Sequence, residues 1–228
     1  MRDYMNIKIE QKDWLQSTFA IVKSELPLIR NPNPDFENLP HEAKDKLIQV
    51  YVNQHEAIRV LGVHESFSLV RKRDGVIGWI QSQFLAHDSS IKDFPKLISM
   101  GLGPVEFLNE WRGVPYRWGG VSKSGIDCSG FSQAYFFDVL GTEIPKNSQD
   151  QRSRGISVPI HEIGDHDLIF CQRKNLNPMN HVGIYFQGEV HHAQLERGVM
   201  SESLDQFVEK YTIQEIKRLP LESRNHST

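Results

Sequence analysis

Between residues 17 and 85 the apolar positions fall into short runs, FAIVK, LIQVYV, AIRVLG, FSLVRK and VIGWI, each bounded by turn-forming residues. Runs of that length, rich in β-branched and aromatic residues, predict strands, and their spacing predicts a small all-β barrel. Asp74-Gly75 stands between the last two runs, where a hairpin turn is expected. ELPLIRNPNPDFENLP reads as a proline-rich loop among the strands. Residues 86–104 lose the rhythm and read as a linker with a helical turn. Beyond them VEFLNEWRG has helical spacing. After Cys128, residues Phe131, Tyr135 and Val139, joined by Ala134 and Leu140, recur every three or four positions until Gly141 stops the run. HDLIFC, HVGIYFQ and EVHHAQ follow as strands, so this half is mixed and the chain is α+β. The predicted organisation is a β-barrel over 1–86, a linker over 87–104, a second domain over 105–222 and a polar tail over 223–228.

Composition narrows the classes. A chain of 228 residues with 39% hydrophobic content has enough apolar side chains for a core. A net charge of −3 argues against nucleic acid or an anionic membrane surface as the main partner, since either needs a basic face. There is no internal repeat and no low-complexity segment. MRDYMNIKIEQKDW carries no apolar run of signal-peptide length, and no stretch approaches the roughly 18 uninterrupted apolar residues of a membrane span. The expectation is a cytoplasmic protein with no membrane partner. Its two cysteines need no disulfide there, and Cys171, inside DLIFC, reads as a buried strand residue.

Cys128 is different. Its neighbours Asp127, Ser129 and Gly130 mark the start of a helix, where free N–H groups and the positive end of the dipole favour an anion. A thiol there is expected to have a lowered pKa and to act as a nucleophile, with packing or redox chemistry as the competing roles. A base is available. His181 opens HVGIYF, and a two-residue turn at Gln187-Gly188 sets Phe186 opposite Glu189, Gly183 opposite His192 and His181 opposite Gln194. One face then holds His181 as candidate base, with His192 or Gln194 to orient its ring and Gly183 leaving room, while His191 points to the other face. Zinc is the weaker alternative: His191 and His192 face opposite ways, and neither CxxC nor HExxH spacing occurs. No metal and no cofactor are expected.

PYRWGGVSKSGIDCSGFSQAYFFDVLGTEIPKNSQDQ, DLIF, HVGIYF and VHHAQ, in that order, resemble the NlpC/P60 family of papain-like cysteine peptidases that cleave cell-wall peptides. The resemblance covers about residues 105–218. It implies a papain-like domain with Cys128 as nucleophile, His181 as base, His192 as orienting residue, and Tyr116 beside the Cys128 N–H as oxyanion donor. It also puts Asp127, Ser129 and Ser148 against a peptidoglycan-derived peptide. ELPLIRNP, AIRVLG and DGVIGW resemble the bacterial SH3-like domains that precede such catalytic domains. In wall-peptide recycling members that domain helps recognise a free N-terminal L-alanine, and Glu56 holds the acidic position. Val76-Ile77 precedes Gly78-Trp79 where the family has tyrosine, and Lys146 and Asn147 stand where Arg and Asp are frequent.

Trp79 and Trp118, each beside glycine, read as core packing more than as ligand platforms. The function implied is a γ-D-glutamyl-diamino acid endopeptidase (meso-diaminopimelate or L-lysine) in murein peptide recycling. The alternatives are a wall-remodelling amidase or endopeptidase acting on intact stems, and a non-catalytic wall-binding module. The latter predicts a damaged triad, which this sequence does not have.

Overall fold

The computed structural model describes residues 18–174 and 180–220. The described chain divides into two compact units, one ending at Leu97 and one starting at Ile98.

The first unit is built on strands β1 (Thr18–Val22), β2 (Leu26–Ile29), β3 (Ile48–Val52), β4 (Ala57–His64), β5 (Phe67–Arg71), β6 (Ile77–Gln81) and β7 (Leu85–Asp88), with the short helix α1 (His41–Leu47) before β3. The five predicted runs are all strands. The Asp74-Gly75 hairpin is also present: Arg71 pairs with Ile77, and Gly75 takes a positive φ of 88°. Two segments depart from expectation. LPLI, read as part of a loop, is β2, with Leu28 and Ile29 buried. Pro27 is tolerated because β2 meets β6 only at Ile29, so its missing N–H interrupts no ladder on that side. The start of the segment read as a linker is β7, which pairs with β1. The ladder runs β3-β2-β6-β5-β4-β1-β7 and is antiparallel. Its outer strands β3 and β7 are not paired to each other, so the described sheet is open, and the expected SH3-like barrel is not seen in it. Phe19, Leu28, Ile58 and Trp79 fill its core, which settles Trp79 as packing.

The second unit opens with helix α2 (Pro104–Trp111) and the two-residue strands β8 (Val121–Ser122) and β9 (Gly125–Ile126), followed by helices α3 (Cys128–Leu140) and α4 (Ser148–Arg152). Strands β10 (Ile156–Ser157), β11 (Leu168–Arg173), β12 (Asn180–Phe186), β13 (Glu189–Gln194) and β14 (Gly198–Ser203), helix α5 (Leu204–Lys210) and strand β15 (Tyr211–Arg218) complete it. The sheet is open and antiparallel in the order β10-β15-β11-β12-β13-β14.

Strand alternation sorts this sheet into two faces. Leu168, Phe170, Val182, Ile184 and Ala193 pack with Phe131, Tyr135 and Phe136 of α3 and with Phe107 and Trp111 of α2. Ile169, Cys171 and Val190 pack on the other face with Phe207 of α5 and Tyr211 of β15. α3 therefore lies across β12 and β13.

Candidate active site

The N-terminus of α3 is fixed by Asp127. Its Oδ1 accepts from the Gly130 N–H at 2.6 Å, and its Oδ2 accepts from the Gly119 N–H at 2.9 Å. At the other end Gly141 takes φ 68°, the left-handed stop its position predicts. Gly130 is required by close approach: a Cβ there would lie 2.4 Å from the Gly120 carbonyl oxygen. Cys128 is thereby the first residue of the helix, as expected, and is buried.

The lowered thiol pKa expected from the helix N-terminus is not what the site produces. Burial pushes the Cys128 thiol up to about 12 and Asp127 adds to the rise, while the Val182 N–H, Lys146 and the Ser129 N–H act against it. His181 is moved the other way, well below the usual imidazole range, by burial first and then by His192 and Arg173. Both groups rest neutral, and the Val182 N–H, one residue from His181, faces the sulfur.

The β12–β13 hairpin has the register its turn residues predict. Gln187 and Gly188 take φ 49° and 84°, and Phe186 pairs with Glu189 and Ile184 with His191. Continuing that register sets Gly183 opposite His192. His181 Nε2 lies 2.8 Å from His192 Nδ1. Gly183 is the space between them: a Cβ there would meet the Val190 side chain at 2.6 Å and the His192 Cβ at 3.5 Å. Gln194, the other residue considered for orienting His181, makes no hydrogen bond to it. His191 lies beyond the hairpin's other face, near Glu189 at 3.9 Å. Tyr211 stacks on the His181 ring at 5.2 Å and 14°.

The other residues singled out in the sequence have definite places. Tyr116 is half-buried and bridges to Ile126, two positions before Cys128. Ser148 opens α4 and lines a cleft of about 520 Å³ together with Gln149, Arg152, Cys171, His181 and Glu215. Asp127 is not open to a ligand. Lys146 Nζ lies 2.7 Å from both its oxygens, the Ser129 hydroxyl donates to Oδ1 at 3.0 Å, and all three side chains are buried. Asp127 and Ser129 thus form, with Lys146, the internal support of the α3 N-terminus. Glu56, in the first unit, pairs with the buried Lys72 at 2.7 Å and accepts from the Asn53 N–H. Cys171 is a buried strand residue, as its run of apolar neighbours implies. Trp118 is 40% exposed, not packed in the core.

Sequence reasoning missed Glu202. This carboxylate on β14 is buried, lies 3.2 Å from His192 Nε2 through Oε1, and is ion-paired to Lys210. A signal was present in the register: with His192 opposite Met200, Glu202 is its diagonal neighbour. The Ser203/Gln206 capping box marks the start of α5, which brings Phe207 and Lys210 to the same place.

The family model for NlpC/P60 matches residues 113–217. The chain is 35% identical over 109 residues to the probable endopeptidase NlpC of Escherichia coli K12, covering 47% of this chain and 71% of that protein. It is 35% identical over 111 residues to the murein DD-endopeptidase MepS/murein LD-carboxypeptidase of the same organism, covering 48% and 58%. It is 39% identical over 77 residues to the γ-D-glutamyl-L-lysine dipeptidyl-peptidase of Bacillus subtilis 168, covering 33% and 26%. The chain spans about half the length of several curated relatives it matches.

Proposed function

Because this chain belongs to the NlpC/P60 family, whose members include peptidoglycan endopeptidases, we propose that it is a cysteine endopeptidase acting on murein-derived peptides. The observation that carries the reading is the 2.8 Å contact from His181 to His192 on the sheet against which the Cys128 end of α3 packs. His181 Nε2 is occupied by His192, so Nδ1 is the ring nitrogen left to act on the thiol.

In the proposed reaction, His181 takes the Cys128 proton as the sulfur attacks the scissile carbonyl carbon. The neutral resting pair makes this general-base catalysis, with charge appearing only as the C–S bond forms. The Cys128 N–H and the Tyr116 hydroxyl stabilise the oxyanion. Collapse breaks the C–N bond, and His181 returns its proton to the departing amine. A water molecule, deprotonated by the same imidazole, then hydrolyses the thioester and regenerates the thiol. No metal or cofactor enters these steps.

The bond we assign is that between γ-D-glutamate and the diamino acid, meso-diaminopimelate or L-lysine, in keeping with the Bacillus relative's name. We place it in cytoplasmic recycling of wall peptides. A second reading is favoured by one observation: Asp127 has both oxygens engaged by Lys146 and backbone N–H groups, and so offers no open carboxylate to a substrate ammonium. A site that does not select a free amine suits intact wall stems, and the Escherichia coli relative is named for the DD bond.

Mass spectrometry of products from defined tri-, tetra- and pentapeptide stems and a DD-crosslinked dimer separates the readings. Release of L-Ala-γ-D-Glu from the tripeptide supports the first, and cleavage of the crosslink alone supports the second. No cleavage of any stem by the folded full chain contradicts both.

A further inference from the structure

His181 and His192 account for two members of a chain of buried polar groups that continues past them. His192 is fully buried, so both of its ring nitrogens need partners inside the protein. Nδ1 faces His181 Nε2 at 2.8 Å. Nε2 lies 3.2 Å from Glu202 Oε1, and neither of these two atoms has a hydrogen bond of normal geometry to any described residue. Glu202 Oε2 is held by Lys210, at the end of α5. Phe207 meets the His192 ring edge-on at 5.3 Å, and Tyr211, stacked on Phe207 at 4.4 Å, covers His181 as well. The β14–α5–β15 segment therefore supplies the acid, its counter-ion and the aromatic cover.

We propose that Glu202 is a positioning residue that sets the tautomers of both histidines. A carboxylate is acceptor-only, so His192 Nε2 must carry the proton toward it. A neutral His192 then has an unprotonated Nδ1 and accepts from His181. His181 consequently carries its proton on Nε2, and its Nδ1 is the bare lone pair left to act on the thiol in the proposed reaction. Without the carboxylate, His192 is free to hold its proton on Nδ1. It then donates to His181 Nε2, and His181 is left with its proton on the wrong nitrogen. Glu202 is ionised throughout the working range: the contact to His192 and then Lys210 bring its carboxyl down to about 2, against the opposing effect of burial. The other charged and titratable groups bearing on this chain are Arg173, Cys171 and Tyr211, and the last is pushed up to about 12 by burial and stays neutral.

This inference rests on the peptidase reading for its consequence, but its first test does not. Nitrogen-15 correlation spectra of the imidazoles in the full chain near pH 7 should show both His192 and His181 protonated at Nε2 and bare at Nδ1. A proton on Nδ1 of either residue overturns the proposal, whether or not any substrate is found. The second test is Glu202→Gln, checked for folding by thermal denaturation, with Glu202→Asp as the conservative variant. Glu202→Gln should lower kcat by at least about tenfold, with a ceiling near the 10⁴-fold cost of a wrong tautomer in a serine triad, and leave KM nearly unchanged. Glu202→Asp should recover part of the loss. A folded Glu202→Gln with wild-type kcat overturns the positioning role while leaving the peptidase reading intact. If Glu202→Gln does not fold, the wild-type tautomers decide.

Discussion

His192 reaches His181 across the β12–β13 hairpin as its diagonal neighbour, with Nδ1 2.8 Å from the His181 Nε2. The contact exists because the Gln187-Gly188 turn has two residues with positive φ and no more. A turn one residue longer would have put His191 on this face.

The two adjacent histidines should therefore behave differently. His192→Ala is expected to reduce kcat strongly, by as much as the roughly 10⁴-fold cost of losing the orienting residue of a triad. His191→Ala should stay within a few fold of wild type. Steady-state kinetics on one defined peptide stem checks both, and a severe His191→Ala defect with a normal His192→Ala would refute the assignment.

Thiol reactivity carries the sign of the burial effect. With Cys128 raised to about 12, the thiolate fraction near neutrality is small and grows with pH. Alkylation of the free enzyme by iodoacetamide should keep rising through pH 9, beyond the ordinary thiol value of about 8.5. A rate that is flat between about pH 5 and 8 would reveal a pre-ionised cysteine–histidine pair. Cys171→Ala, by contrast, should leave turnover unchanged and cost on the order of 1 kcal/mol through a small cavity.

Much of this site was legible because its determinants are local. The start of α3 is written in Asp127, Ser129 and Gly130, its end in Gly141, and the histidine register in a two-residue turn. What escaped depends on residues far apart in sequence. Strand β2 is hidden by prolines, and its pairing with β3 and, at Ile29, with β6 makes it a strand. Lys146 shows in the sequence only as standing where the resembled family frequently has Arg, and its partner emerges when α3 and the following loop bring it onto Asp127, 19 residues away. Glu202 needed a second hairpin register beyond the first. The direction of the Cys128 shift is hidden for the same reason: the helix N-terminus is visible in the sequence, whereas the burial that outweighs it comes from the whole core.

The buried Lys146–Asp127 pair gives a stability prediction. Both side chains are at least nine-tenths buried, and Lys146→Met would strand the carboxylate without its cation. Breaking such a pair costs about 3–5 kcal/mol. Thermal denaturation should show a melting temperature lower by more than about 5 °C. A shift within about 1 °C would mean that the two backbone N–H groups and Ser129 satisfy Asp127 by themselves.

Acid stability follows from Glu202. Its folded pKa, about 2, lies below its ordinary value of 4.5, so the native state binds its proton more weakly than the unfolded chain does. Its contribution is fully present above about pH 4.5 and is lost as pH falls toward 2. Urea titrations between pH 6 and 2.5 should show a steeper fall in stability for wild type than for Glu202→Gln, and parallel curves would contradict the carboxylate's assigned state.

The central claim is that Cys128 becomes acylated by the γ-D-glutamyl carbonyl. It is tested most directly by acid-quenching the enzyme during turnover of L-Ala-γ-D-Glu-diaminopimelate and measuring the mass of its Cys128-containing peptide. The account predicts an added L-Ala-γ-D-Glu acyl group on that peptide, absent from Cys128→Ala, which should form no product. Undiminished product from Cys128→Ala, with no adduct in wild type, would contradict it.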